Sequence, residues 1–156
     1  MANPYIVDNQ VKVSVILPCD RQTAWTYIGT AEGYSRWFPA ECQGEFATGK
    51  MIKKSWWWVP DDISTHQILA YQPPESIEYS WEVAKGGRVR YSIEGGRPTI
   101  VHIEATYPKT AEGREAQLLD VAPWTFAILN LKSVASGGID LRHHGPKPIA
   151  GPPFID

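Results

Sequence analysis

The stretch from Ile77 to Tyr107 constrains this chain most, because side-chain character there changes every second residue in three successive runs. Ile77, Tyr79, Trp81 and Val83 alternate with Glu78, Ser80 and Glu82. Val89, Tyr91 and Ile93 alternate with Arg88, Arg90, Ser92 and Glu94, and Val101, Ile103, Ala105 and Tyr107 with His102, Glu104 and Thr106. A period of two places each set on its own face of a strand. Gly86-Gly87 and Gly95-Gly96 separate the runs. Connections that short join antiparallel neighbours, since parallel strands need a long crossover. The pattern predicts an antiparallel meander with one charged, wet face and one apolar face rich in tyrosine and tryptophan. That second face must be covered.

The cover comes from helical segments. Glu112 to about Ser136 carries Leu119, Trp124, Ala127, Ile128, Leu131 and Val134 or Ala135 at helical spacing, and Gly137-Gly138 closes it. Pro123 would cost about 3 kcal/mol inside an uninterrupted helix. Either the helix kinks there, or a separate helix starts near Asp120. Upstream, Val11, Val13, Val15 and Leu17 alternate with Lys12, Ser14 and Ile16 as a half-buried strand. Asp20 then caps a helix over Arg21–Gly29 that buries Ala24, Trp25 and Ile28. Thr30 caps a shorter one through Glu32 to about Trp37, stopped by Pro39. Gly49, Pro60-Asp61-Asp62 and Pro73-Pro74 punctuate further short strands.

Strands followed by a long helix make the class α+β: a curved antiparallel sheet wrapped around a C-terminal helix, with two short helices after the first strand. The 156 residues divide into an N-terminal extension (1–10), one domain (11–137) and a Pro/Gly-rich tail (138–156).

Charge and motif content narrow the function. Fifteen basic against 17 acidic residues, a net charge of −2, argue against a nucleic-acid partner. No apolar run approaches the roughly 18 residues of a membrane span, and the N-terminus lacks a signal-peptide pattern. The expectation is a cytoplasmic protein without membrane insertion, with Cys19 and Cys42 as reduced thiols. His143-His144 are adjacent, so on an extended chain they point apart, and no ligand cluster at metal spacing accompanies them. Neither a metal nor a cofactor is expected. The glycine pairs, each followed by an arginine, are hairpin turns, and no nucleophile elbow occurs. No catalytic constellation is evident.

The candidate site is the inward aromatic face. Seven tryptophans are many for one small domain. The wall of a ligand cavity would comprise His66, Ile68, Tyr79, Trp81, Tyr91, Ile93, Ile103 and Tyr107 from the sheet, with Trp124, Ile128 and Leu131 from the helix. Tyrosine and tryptophan suit this role, since each joins a large apolar face to one polar atom. His66 shares its face with Ile68 and Ala70 and would be the cavity's lone polar group. Plain core packing is the alternative for any single aromatic. Trp56-Trp57-Trp58 places Trp56 and Trp58 on one face, as a cavity mouth, a homodimer contact or outer-face packing.

Several segments resemble a known family. They are Thr23-Ala24-Trp25, Tyr34-Ser35-Arg36-Trp37-Phe38-Pro39, Gln67 to Trp81 with its Pro-Pro turn and Tyr-x-Trp ending, and Pro98-Thr99-Ile100-Val101-His102-Ile103. Pro123-Trp124 to Leu131-Lys132 and Gly138-Ile139-Asp140-Leu141-Arg142 complete the set. Together they resemble the START-like (SRPBCC) superfamily, and within it the family named for the activator of heat-shock protein 90 ATPase. Pro123 departs from the small residue that precedes the helix tryptophan in that family. The resemblance implies a helix-grip (START/Bet v-like) fold with a cavity between sheet and C-terminal helix. It does not imply one activity, since members bind lipids, polyketides, flavonoid-like aromatics and hormones. The tyrosine- and tryptophan-rich inward face is what points to a hydrophobic, aromatic small-molecule ligand. Chaperone-ATPase regulation through a chaperone partner, and cyclase- or hydrolase-type catalysis in the same cavity, are the alternatives it carries.

Overall fold

The computed structural model describes residues 6–56, 62–81 and 86–142. In chain order these form β1 (Ile6–Val7), β2 (Gln10–Leu17), α1 (Arg21–Ile28), α2 (Ala31–Ser35), β3 (Glu41–Gln43) and β4 (Met51–Ser55). Then follow β5 (Ile63–Gln72), β6 (Ser76–Trp81), β7 (Gly87–Gly95), β8 (Thr99–Thr106), α3 (Ala111–Leu119) and α4 (Val121–Ala135). The strands make one sheet in the order β1-β2-β8-β7-β6-β5-β4-β3, every pair antiparallel. Packed against α4, the sheet is a helix-grip fold.

Local chemistry explains the helix starts. Asp20 Oδ1 accepts from the Thr23 amide at 2.8 Å, Thr30 Oγ1 from Gly33 at 3.0 Å, and Thr110 Oγ1 from Gly113 at 3.0 Å. Each satisfies one of the amides that a helix N-terminus leaves without an internal partner. Gly33 is required by close approach, since a Cβ there would sit 1.7 Å from the Thr26 carbonyl oxygen. Of the two outcomes open at Pro123, the separate helix occurs. Asp120 ends α3 and precedes α4, which leaves Pro123 in a first turn, where its missing N–H breaks no helical bond.

The alternation holds across the sheet. Ile77, Tyr79, Trp81, Val89, Tyr91, Ile93, Val101, Ile103, Ala105 and Tyr107 are all buried. On the outer face Glu78 meets Arg88 at 3.7 Å and Lys12 meets Glu104 at 3.1 Å. His102 joins Ser14 and Glu94 there. One parity changes: a bulge between Ile68 and Ala70 shifts the β5 register. Ala70 therefore pairs with outward Glu78, and Tyr71 turns inward against Trp25, at 5.5 Å between ring centroids.

Past α4, residues 138–142 are packed onto the domain. Fully buried Asn130 donates to the Trp37 carbonyl at 2.7 Å and to Asp140 Oδ1 at 3.0 Å, and accepts from the Leu141 amide at 2.7 Å. Arg142 reaches the Ser35 carbonyl at 2.9 Å and pairs with Asp140. This clasp ties the segment after α4 to the α2–β3 turn. Val83, Trp57, Trp58, His143, His144 and the tail prolines lie outside the described residues.

Candidate functional site

The site forms around a residue whose importance the alternation hides. Ile52 and Lys54 share a face of β4 by strand parity, Trp56 follows just past its end, and all three are buried. Lys54 is 0% exposed. Its Nζ lies 3.6 Å from the centre of the Tyr79 ring, 4.8 Å from that of Tyr34 and 5.4 Å from that of Trp81. It donates to Tyr34 Oη at 3.1 Å. Among the described residues no carboxylate pairs with it.

Tyr34 arrives from α2, Tyr79 from β6 and Tyr91 from β7. Their hydroxyl oxygens form a triangle with sides of 2.7, 2.8 and 2.5 Å. Three protons serve three contacts, so each phenol donates once and accepts once around the ring, and the spare Tyr34 lone pair takes Lys54. Burial pushes all three phenols above their usual range. Burial likewise pushes the Lys54 amine well below its ordinary value. The aromatic faces return about 2 kcal/mol to a desolvated cation, whereas desolvation costs several. The phenols are therefore held neutral, and burial shifts the amine toward its neutral form.

His66 is the second polar member. It stacks on Trp81 with centroids 5.4 Å apart and planes at 17°. The Ser80 carbonyl can only accept, so Nδ1–H donates to it at 2.7 Å, and Nε2 accepts from Ser64 Oγ at 2.8 Å. Ser64 Oγ in turn receives the Trp56 indole N–H at 3.1 Å. Burial, assisted by Lys54, pushes the imidazole down to about 3.

Around this centre, Phe38 stands 5.2 Å from Trp56 and 5.2 Å from Trp124, and Trp81 5.1 Å from Trp124. Sheet wall and helix wall meet here. At the far end Asp120 accepts from Tyr107 Oη at 2.6 Å and Trp81 Nε1 at 3.4 Å, while Trp124 Nε1 donates to Tyr107 Oη at 3.0 Å. Burial raises the Asp120 carboxyl. A shallow cleft of about 280 Å³ lined by Asp8, Lys109, Arg114 and Gln117 lies apart from the cage, at the start of α3.

The structure thus brings His66, Tyr79, Trp81, Tyr91 and Trp124 into one cluster with Trp56, and joins Tyr107 to it through Asp120. Ile68, Ile93, Ile103, Ile128 and Leu131 are buried in the core. His66 is not the lone polar group, because Lys54 and three hydroxyls share the interior. Sequence reasoning missed Lys54, Tyr34, Phe38 and Asp120. For Lys54 a signal existed: if Trp56 faces inward, so does the residue two before it.

No protein-family model matches the sequence, and no curated protein matches it. Solved structures match well. SSP2350 from Staphylococcus saprophyticus superposes with a TM-score of 0.73 at 14% identity, over 85% of this chain and 96% of that one. NE0264 from Nitrosomonas europaea gives 0.71 at 10% identity, over 86% and 99%. The Aha1 dimer from Colwellia psychrerythraea gives 0.65 at 14% identity, over 85% and 98%. What they share with this chain is the fold. Among the described residues no helix is long and apolar enough to cross a membrane.

Proposed function

We propose that this chain is a START-like protein that binds an apolar, aromatic small molecule between the sheet and α4. The observation that carries this is Lys54: a fully buried amine among tyrosine hydroxyls and aromatic faces, with no acid to neutralise it among the described residues. Such a group opposes folding, and a core chosen for stability alone favours Leu, Ile, Val and Phe. A few convergent polar atoms inside an aromatic shell are what orients a ligand. The ligand's ring would part Phe38, Trp56 and Trp81 and lie against Trp124.

Tryptophan fluorescence and thermal unfolding with a panel of aromatic alcohols, phenols and flavonoids test this. Ligand at a hundred times its Kd adds about 2.7 kcal/mol, or roughly 5 °C or more in Tm for a domain of this size. Trp81→Ala should abolish the shift. Trp25→Phe, beside Tyr71 on α1, should retain it. Equal losses in both variants, or no response to any compound, would sink the proposal.

A further inference from the structure

We propose that Lys54 is a reactive amine and that the ligands of the cage are aromatic aldehydes or ketones, captured reversibly as an imine on Nζ. This rests on the binding function proposed above and assigns the chemical group that the cage addresses. The argument starts from what an imine needs: an unprotonated amine, an acid beside it, a flat apolar slot for the conjugated ring, and no stronger nucleophile nearby.

A solvated lysine has a pKa near 10.4, so about 1 in 2,500 is unprotonated at pH 7, and only that form attacks a carbonyl. Lys54 differs in its surroundings. Its Nζ contacts three aromatic rings and one phenol, and no carboxylate among the described residues holds a proton on it. Burial in an apolar site is the known way to keep a lysine neutral and nucleophilic. The acid is Tyr34, whose hydroxyl lies 3.1 Å from Nζ and is itself hydrogen-bonded to Tyr79 and Tyr91. Lys54 already lies over Tyr79 and His66 over Trp81, so the slot opens only as the ligand ring parts Phe38, Trp56 and Trp81. The rival nucleophile is Cys42, paired with Lys54 across β3 and β4. Burial pushes its thiol up to about 11, which keeps it protonated and unreactive.

The step balances without an oxidant or reductant. The Nζ lone pair attacks the carbonyl carbon; a C–N bond forms, and the C=O π pair moves to oxygen. One amine proton passes to that oxygen through Tyr34, giving the carbinolamine. Tyr34 then protonates the hydroxyl, which leaves as water as the nitrogen lone pair forms C=N, and the remaining N–H proton returns to Tyr34. The net change is aldehyde plus amine to imine plus water. The product is neutral, as an apolar cage requires. Access passes Phe38, Trp56 and Trp81, the cage rings that keep slight exposure, at 8%, 7% and 6%.

The test uses the full chain at pH 7 with anisaldehyde and cyanoborohydride, which reduces an imine to a stable secondary amine, followed by peptide mass mapping. Anisyl alcohol and anisic acid serve as skeleton-matched controls in tryptophan quenching. The expected result is an adduct on Lys54 at least ten-fold above any other lysine, lost in Lys54→Met and kept in Lys53→Met. Lys53→Met, at an exposed position outside the cage, should still bind anisyl alcohol. Quenching by anisyl alcohol with no preference for Lys54 in the adduct map overturns the imine and leaves the binding function standing. Lys54-dependent binding of anisic acid without an aldehyde adduct overturns it in favour of an ion pair. If neither the alcohol nor the aldehyde quenches, and no adduct forms, the binding function falls as well. The map is read on wild-type protein, so it holds even if Lys54→Met folds poorly.

Discussion

Acid titration of His66 is a perturbation whose sign and size both follow from the structure. The ring is buried, its Nδ1–H is committed to the Ser80 carbonyl, and Nε2 accepts from Ser64. A proton on Nε2 would have to displace the Ser64 donor and place charge beside Lys54. Burial and that neighbour depress the folded value to about 3, against about 6.5 in the unfolded chain. The unfolded state therefore binds the proton first. The stabilisation is complete above pH 6.5, falls as pH drops from 6.5 toward 3, and changes no further below that. Each unit is about 1.4 kcal/mol, so roughly 3 kcal/mol disappears between pH 6.5 and 4, a large part of the 5–15 kcal/mol typical of a domain. Other groups titrate nearby. Asp120, raised by burial, acts in the opposite direction. Asp140, held low by its hydrogen bonds from Arg142 and Asn130 against the effect of burial, loses stability only below its ordinary value near 3.8. Urea unfolding of wild type and His66→Gln at pH 7.5, 6, 5 and 4 cancels both. Gln can accept from Ser64 and donate to Ser80 without titrating. Relative to His66→Gln, the wild type should lose about 3 kcal/mol of stability between pH 7.5 and 4. Parallel profiles, within about 0.5 kcal/mol, would refute a buried neutral imidazole.

Two structural predictions complement this. Asn130→Ala leaves the buried Trp37 carbonyl without its donor and releases the Leu141 amide; an unsatisfied buried group costs about 1–3 kcal/mol, and urea unfolding should show a loss of about that size. A change below about 0.5 kcal/mol would mean that the clasp is not stabilising. Gly33→Ala drives a Cβ to 1.7 Å from the Thr26 carbonyl oxygen, whereas Gly96→Ala meets nothing within 4 Å; the first should cost more than about 3 kcal/mol and the second under about 0.5. Similar melting temperatures for the two would contradict the tight α1–α2 corner.

Much of the architecture was legible because its causes are local. A strand's two faces repeat at every second residue, so Ile77 to Tyr107 declared its inner and outer sets without any partner in view. Asp20, Thr30 and Thr110 act on amides three residues ahead, within reach of a short window of sequence. Pro123 left two outcomes, and packing chose between them. The bulge after Ile68 shows the limit of parity: one irregular pair moved Ala70 outward and Tyr71 inward, and no residue type there announces it.

The cage belongs to the other category. Lys54 meets Tyr34 across 20 residues, and Tyr34 meets Tyr79 across 45 and Tyr91 across 57. Alternation said only that Lys54 shares a face with Trp56; which way that face points depends on how β4 pairs with β3 and β5 and on where α2 lies. Periodicity and capping are properties of neighbouring residues, so the chain carries them wherever it goes. A buried amine and a ring of three phenols exist only once the sheet curls around α4 and α2 closes its end, because their energetics depend on water being excluded from all sides at once.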